Sequence, residues 1–278
     1  MTTASARTGL VLSSTTNSVT TLTMNMPARL NGWTMEMMEA LKGAMDRAAD
    51  DPATKVVILT GTDPYYSAGV NLGSALQLAH PRTLHAQIVA HNEALFEGFI
   101  AFPKPILAAV NGPAIGATVT TAALCDGIIA SERATFSTPF ARLGLPPEGC
   151  SSVHFPRLLG EANAARMLGE EGYKPTGEEA HAIGLAGWVV PHEQLLAEAQ
   201  RIGETWVAEG RARTFPAGAS IDELRAVNAT ESVAVADAFL GARFLRAQHR
   251  FLRSRKKWGP AATFLGLWLT RPVWSRLL

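Results

Sequence analysis

The stretch Asn111–Asp126, NGPAIGATVTTAALCD, decides how this chain is read. It follows the apolar run Pro105–Val110, which is continuous enough to be a strand buried on both faces. It turns at Asn-Gly-Pro and then enters small residues that predict a helix start. The first turn of a helix has N–H groups without internal partners, and that end carries a partial positive charge. With only Gly116 and Ala117 at the entrance those donors stay uncovered, so an oxyanion can be held there. The same strand–glycine–helix junction also serves as a tight packing corner.

Outward from this junction, strands and helices alternate. Gly9–Ser14 and Val19–Met24 predict two strands around a turn at Asn17. Thr34 can cap a helix whose apolar face is Met37, Leu41, Ala44, Met45 and Ala48, ended by Asp50-Asp51-Pro52. Val56–Leu59 predicts a buried parallel strand, and the following loop Gly61–Asn71 is rich in turn formers. A helix is expected over Arg82–Ile100, and short strands at Ile128–Ala130 and Ala134–Phe136. Thr176 and Glu179 form a capping box.

From Leu195 onward the pattern is helical throughout. The expected organisation is therefore α/β: residues 8–194 as a core with the ligand site, and residues 195–278 as a helical, assembly-forming region. If the strands at 56–59 and 106–110 are neighbours, the loops around Ala68-Gly69-Val70 and Gly116-Ala117 leave the same sheet edge, where α/β proteins bind ligands.

Composition narrows the function. Hydrophobic residues make up 47% of the 278 residues and charged ones 18%, the profile of a globular protein with a large core. A net charge of +1 gives no global electrostatic reason to expect nucleic acid. Cys125 and Cys150 lie among small and apolar residues, as buried thiols of a reducing compartment do. MTTASAR lacks the apolar segment of a secretory signal, no run is long enough to span a bilayer, and the ending Ser-Arg-Leu-Leu is not the usual peroxisomal address. The expected location is the cytoplasm. The seven histidines show no metal-ligand spacing, so no metal is expected.

Several ordered motifs together carry a resemblance. Tyr66-Ser-Ala-Gly-Val-Asn71, Lys104-Pro-Ile, Val110-Asn-Gly-Pro-Ala-Ile-Gly116, Cys125-Asp126, Ala134-Thr-Phe136 and the Glu178–Leu185 segment resemble the crotonase (enoyl-CoA hydratase/isomerase) superfamily over roughly Ser18–Val190. The resemblance implies a crotonase-like spiral of β-β-α units with a C-terminal helical trimerisation region. It implies an acyl-CoA thioester as substrate and no separate cofactor, because coenzyme A is part of the substrate. The family's oxyanion-hole N–H groups fall on Val70 and Ala117. Arg29, Ser67, Ala68, Gly69, Asn71, Gly116 and Phe140 fall at substrate- or coenzyme-binding positions.

The family's hydratases use two glutamates, whose positions here are Thr120 and Phe140. Neither can serve as an acid or base. Glu148, in Leu143-Gly-Leu-Pro-Pro-Glu-Gly-Cys-Ser-Ser152, resembles the base of peroxisomal-type Δ3,Δ2-enoyl-CoA isomerases. Read from the residues alone, it is equally an acid suited to the dipole of a helix starting near Ser151. The resemblance makes it the expected catalytic base, with Phe140, Leu143, Leu145 and Val153 as apolar walls that raise its pKa. Hydration, another thioester-enolate reaction or a non-catalytic acyl-CoA-binding oligomer are the alternatives.

His154 and Cys150 are expected to be packed residues. Arg243, Arg246, Arg250 and Arg253 recur at helical spacing, either as a solvated face or as contacts to coenzyme phosphates. The tail Trp258–Leu278 is apolar but interrupted by Pro260 and Pro272. It is expected to pack over an acyl pocket, with a membrane surface as the lesser possibility.

Overall fold

A computed structural model describes residues 9–70 and 79–278. The chain begins with β1 (Val11–Thr16) and β2 (Val19–Met24), an antiparallel hairpin closed by Asn17 and Ser18, both at positive φ. Strand β1 thus starts and ends two residues later than the sequence suggests. Helix α1 (Met35–Asp50) is capped by the Thr34 side chain, which accepts from the Met37 N–H, and it buries the five expected residues from Met37 to Ala48. Strand β3 (Val56–Gly61), fully buried, runs two residues beyond the expected end. Then come α2 (Pro81–Ile100) and β4 (Ile106–Val110).

Two β-β-α turns follow. The first is β5 (Pro113–Ile115) with α3 (Ala117–Ala123); the sequence reading missed β5 because three residues around a proline show no periodicity. Strand β6 (Gly127–Ser131) sits between them in sequence and begins the second, with β7 (Thr135–Ser137) and the short α4 (Phe140–Leu143). Helices α5 (Ser151–Leu159), α6 (Glu161–Leu168) and α7 (Gly177–Ala182) lead to β8 (Trp188–Val190). Both halves of the capping box on α7, Thr176 and Glu179, are formed. The remainder is helical: α8 (Leu195–Ala208), α9 (Ile221–Phe239), α10 (Ala242–Ser254) and α11 (Trp258–Trp274).

The main sheet has the order β1-β2-β3-β4-β6-β8, parallel except for the first hairpin. Its buried strands read as continuous apolar runs because both faces are covered. Helix α8 covers one face, with Leu195, Ala199, Ile202 and Trp206 packed on Val19, Ile58, Leu107 and Ile129. The other face packs on α1, α2 and α3. Strands β5 and β7 pair in parallel as a second small layer, and an isolated parallel bridge from Ser67 to Ala114 adds the loop after β3 to it. This second layer carries the loops expected to hold the ligand, whereas β3 and β4 are neighbours in the first.

A buried ion pair ties the helical part to this core. Asp126, whose side chain is fully buried, accepts from Arg213 at 2.7 Å and from the Ile106 and Thr214 N–H groups at 2.8 and 2.7 Å. The tail departs from its expected broken form. It is one continuous helix, α11, because Pro260 lies in the first turn, where a proline costs no intrahelical bond, and Pro272 lies in the last. It packs on α10 through Ala261 and Phe264, in a cluster that also includes Phe140 and Leu145.

Candidate active site

Two loops build one half of the site through backbone alone. The Ser67 N–H donates to the Pro113 carbonyl at 3.2 Å, and the Ile115 N–H donates to the Ser67 carbonyl at 3.1 Å. With Ser67 aligned to Ala114, the two strands leave this register together, and Val70 and Ala117 each lie three residues further on. Their N–H groups donate to no carbonyl or side chain among the described residues. The alignment holds because the strands approach closely. A Cβ on Gly69, which sits at φ +81°, would lie 2.5 Å from the Ile115 carbonyl oxygen, so only glycine fits.

Side chains fix this half from behind. The Ser67 hydroxyl donates to the Asn31 carbonyl at 2.7 Å and accepts from the Gly69 N–H. The fully buried Asn31 side chain donates to the Thr62 and Tyr65 carbonyls at 2.6 and 2.7 Å. The Ala68 N–H, next in the loop, donates to the Leu30 carbonyl. Gly116 donates to the Ser137 carbonyl at 2.7 Å and opens α3. Its Cα hydrogen faces Phe140: a Cβ placed there would meet that ring at 4.0 Å. Arg29 is exposed in a single 3-10 turn beside these loops. Asn71 lies outside the described residues.

The other half rests on a carboxyl group. Glu148 follows the Leu145-Pro-Pro segment, and the next residue, Gly149, lies against α3. At φ +68°, a Cβ on Gly149 would come within 2.5 Å of the Phe96 ring and 2.6 Å of the Thr120 hydroxyl. Gly149 thus packs on α3 one turn beyond Ala117, and Glu148 precedes it directly in the chain. Its Oε2 accepts from Asn92 of α2 at 2.8 Å. Asn92 is oriented in turn by Ser232 of α9, whose hydroxyl donates to the Asn92 oxygen at 2.9 Å. Behind the loop, Glu231 of α9 is buried, and its two oxygens accept from the Cys150 and Ser152 N–H groups at 2.6 and 2.8 Å.

These contacts set the electrostatics. Loss of hydration pushes the Glu148 pKa up to about 7, opposed by the Asn92 hydrogen bond and assisted by the negative charge of Glu231. Burial also raises the Glu231 carboxyl above its usual range. The sequence reading missed Asn92, Glu231 and Ser232. None sits in a motif, and the contacts join segments 56 to 140 residues apart.

Of the expected walls, Phe140, Leu143 and Leu145 share the α10–α11 cluster, whereas Val153 is outside it. Thr120 is fully buried and spends its hydroxyl on the Ala117 carbonyl at 3.1 Å. His154 is buried, with Nε2 3.0 Å from the Ala123 carbonyl and its pKa lowered by desolvation. Burial pushes both the Cys125 and the Cys150 thiol up to about 12, which leaves them inert. Arg243 pairs with Glu170 and donates to the Ala141 carbonyl, and Arg246 stacks over Trp268.

Comparisons with known proteins bear on the family and the fold. Residues 14–249 match the family model described as enoyl-CoA hydratase/isomerase. "Enoyl-CoA delta isomerase 2" of Rattus norvegicus is 39% identical over 191 residues, 68% of this chain and 48% of that protein. "Enoyl-CoA delta isomerase 3, peroxisomal" of Mus musculus is 37% identical over 191 residues, covering 68% and 59%. The chain thus spans about half the length of these relatives. The crystal structure of an enoyl-CoA hydratase/isomerase from Pseudoalteromonas atlantica T6c superposes with a TM-score of 0.73 at 27% identity, over 88% of this chain and 98% of that one. With its spiral of β-β-α units and its matching family model, the chain belongs to the enoyl-CoA hydratase/isomerase family.

Proposed function

We propose that this protein is a Δ3,Δ2-enoyl-CoA isomerase that moves a C3 double bond to C2 of an acyl-CoA thioester, with Glu148 as its only base. The observation that carries this reading is geometric: Gly149 packs on Thr120 of α3, so the adjoining Glu148 carboxyl, bonded to Asn92, lies beside the helix that Ala117 opens with an N–H lacking a partner among the described residues. The relatives named delta isomerases support it.

In this mechanism the thioester oxygen lies between the Val70 and Ala117 N–H groups. The Glu148 carboxylate takes a proton from C2, and the C2–H electron pair moves through C1 onto the thioester oxygen as a dienolate. The two N–H groups and the α3 N-terminus stabilise that charge. As the dienolate collapses the oxygen pair restores C1=O, the C1=C2 electrons become the C2=C3 bond, and the C3=C4 pair takes the proton from Glu148 at C4, which restores the carboxylate. One group suffices because it is protonated midway and its pKa lies near the working pH. Thr120 and Phe140 stand at the positions of the two glutamates used by the family's hydratases, so hydration by that mechanism lacks both groups.

Ser67, Ala68, Gly69, Asn71 and Gly116 shape the thioester end in this reading, and Arg29 meets the coenzyme. No cofactor beyond the coenzyme A of the substrate is required. The assembly we propose is a homotrimer or a dimer of trimers built through the helices after residue 195, and the location is cytoplasmic. The test is to supply 3-enoyl-CoA and 2-enoyl-CoA separately and identify the products. Interconversion of the two is expected; 3-hydroxyacyl-CoA as the main product from 2-enoyl-CoA would overturn the proposal.

A further inference from the structure

Glu148 is held by a chain of groups whose far end has a fixed direction. Helix α9 packs along α2, and the seam between them buries Asn228 and Ser232, at 1% and 0% exposure. The Asn228 Nδ2 group donates to the Glu93 carbonyl of α2 at 2.9 Å. A carbonyl only accepts, so the Asn228 side-chain oxygen must face the other way, towards the Ser232 hydroxyl at 3.4 Å. Ser232 donates to the Asn92 oxygen at 2.9 Å, and Asn92 Nδ2 donates to Glu148 Oε2 at 2.8 Å. Every contact joins α2, α9 and the Glu148 loop of a single chain, so assembly through the C-terminal helices leaves it in place.

This chain of groups has two self-consistent directions. While Glu148 is ionised both its oxygens only accept, so Asn92 must present its nitrogen to Oε2 and Ser232 must donate to Asn92. Once Glu148 holds a proton, the reverse becomes available. Oε2–H would donate to the Asn92 oxygen, Asn92 Nδ2 to the Ser232 oxygen, and Ser232 to the Asn228 oxygen. That direction parks the proton on Oε2, against Asn92. Its last link spans 3.4 Å, beyond the usual O–H···O range of about 2.5–3.0 Å, so the observed direction is the stronger one. No group among the described residues donates to Oε1.

We propose that Ser232 is a positioning residue that locks the direction of the Asn92 amide throughout turnover, so that Glu148 takes the C2 proton and delivers it to C4 through one oxygen, Oε1. This role rests on the isomerase reading above and deepens it. Oε2 stays the acceptor of the Asn92 N–H in both states of Glu148. Oε1 gains the proton as the C2–H bond breaks and gives up the same proton as the C4–H bond forms, with the electron pairs moving as described above. A proton parked on Oε2 would have to leave Asn92 before reaching C4, and that delay opens it to exchange with water.

The test follows a label. 3-Enoyl-CoA deuterated at C2 is converted in ordinary water, and deuterium at C4 of the product is measured by NMR. The wild-type protein should deliver a large share of the label to C4. Ser232→Ala leaves the outer end of the Asn92 amide unpartnered in either direction, so the lock is lost. A neutral hydrogen bond contributes a factor of roughly 3 to 10, so kcat and label transfer should each fall by about that factor, with KM nearly unchanged. Asn228→Ala removes the last acceptor of the reverse direction, so its label transfer should equal or exceed that of the wild type. Loosened packing alone would lower label transfer in both variants. Isomerisation by the wild type with no deuterium at C4 would overturn the single-oxygen assignment and leave the isomerase reading intact. Ser232→Ala with kcat and label transfer within about twofold of wild type, or equal losses of label in the two variants, would overturn the role of Ser232. Failure of the wild type to form any 2-enoyl-CoA would instead remove the isomerase reading, and the lock with it.

Discussion

The two halves of the candidate site are held by different means. In the proposed mechanism the oxyanion half is backbone: Val70 and Ala117 each follow the Ser67–Ala114 bridge by three residues, and their side chains contribute only shape. The acid half is a side chain whose position and charge depend on Asn92 from α2 and Glu231 from α9. Side-chain changes at Val70 and Ala117 should therefore be tolerated, whereas changes at Glu148 and its partners should be costly.

Glu148→Gln is the sharpest way to break this contrast. It keeps size and hydrogen bonding but cannot take a proton, so kcat for isomerisation should fall by about 10²–10⁴-fold with KM nearly unchanged. A variant keeping most of its turnover would remove Glu148 as the base. The wild-type kcat/KM should rise with pH through about 7 as the carboxylate forms. Stability has the opposite sign. The folded state holds the Glu148 proton to higher pH than the unfolded chain does, so stability declines as pH rises from about 4.5 through about 7. Denaturant titrations at several pH values should show this slope reduced in the Gln variant.

Asn92→Ala should come next. A hydrogen bond to a charged group contributes about 1.5–3 kcal/mol, so turnover should drop by roughly 10- to 100-fold. Asn92 holds the Glu148 pKa down, so its loss should move the acidic limb of the rate profile to higher pH. Glu231→Gln should move that limb the other way, because a negative neighbour is removed. It should also destabilise the fold by about 1–3 kcal/mol, since the Cys150 and Ser152 N–H groups lose a charged acceptor. Shifts in one direction for both variants would refute the two-partner account of Glu148.

The smallest effects belong to the backbone half and its neighbour. Val70→Ala leaves the N–H donor in place and should change kcat by only a few-fold. Thr120→Val removes a hydroxyl bonded within its own helix, and the Ala117 carbonyl still accepts from Thr121 at 2.9 Å. A loss of two orders of magnitude in either variant would mean that the side chains, not the backbone, set the oxyanion half.

The same division explains what the sequence discloses. Helix α1, the capping box on α7 and the buried strands β3 and β4 follow from local periodicity and caps. The loops that carry Val70 and Ala117 can be read because they follow recognisable strands, while the role expected of the two N–H groups comes from the family resemblance. Asn92, Glu231 and Ser232 could not, since their roles arise only when α2 and α9 pack beside the Glu148 loop. The tail misled for a local reason: Pro260 and Pro272 look like breaks, yet both lie at helix ends.

The packing of Gly149 on Thr120 also limits which reactions the scaffold can reach by single mutations. A second glutamate at position 120 would have to grow from a fully buried site into space already occupied by the Glu148 loop and the Phe96 ring. Placing it there would displace the first carboxylate. An evolutionary path to the two-glutamate water-adding arrangement, which needs carboxylates at both 120 and 140, therefore passes through intermediates with neither activity intact, unless positions 96, 120, 140 and 149 change together. Directed evolution for hydratase activity should accordingly yield coupled substitutions at these positions rather than Thr120→Glu alone.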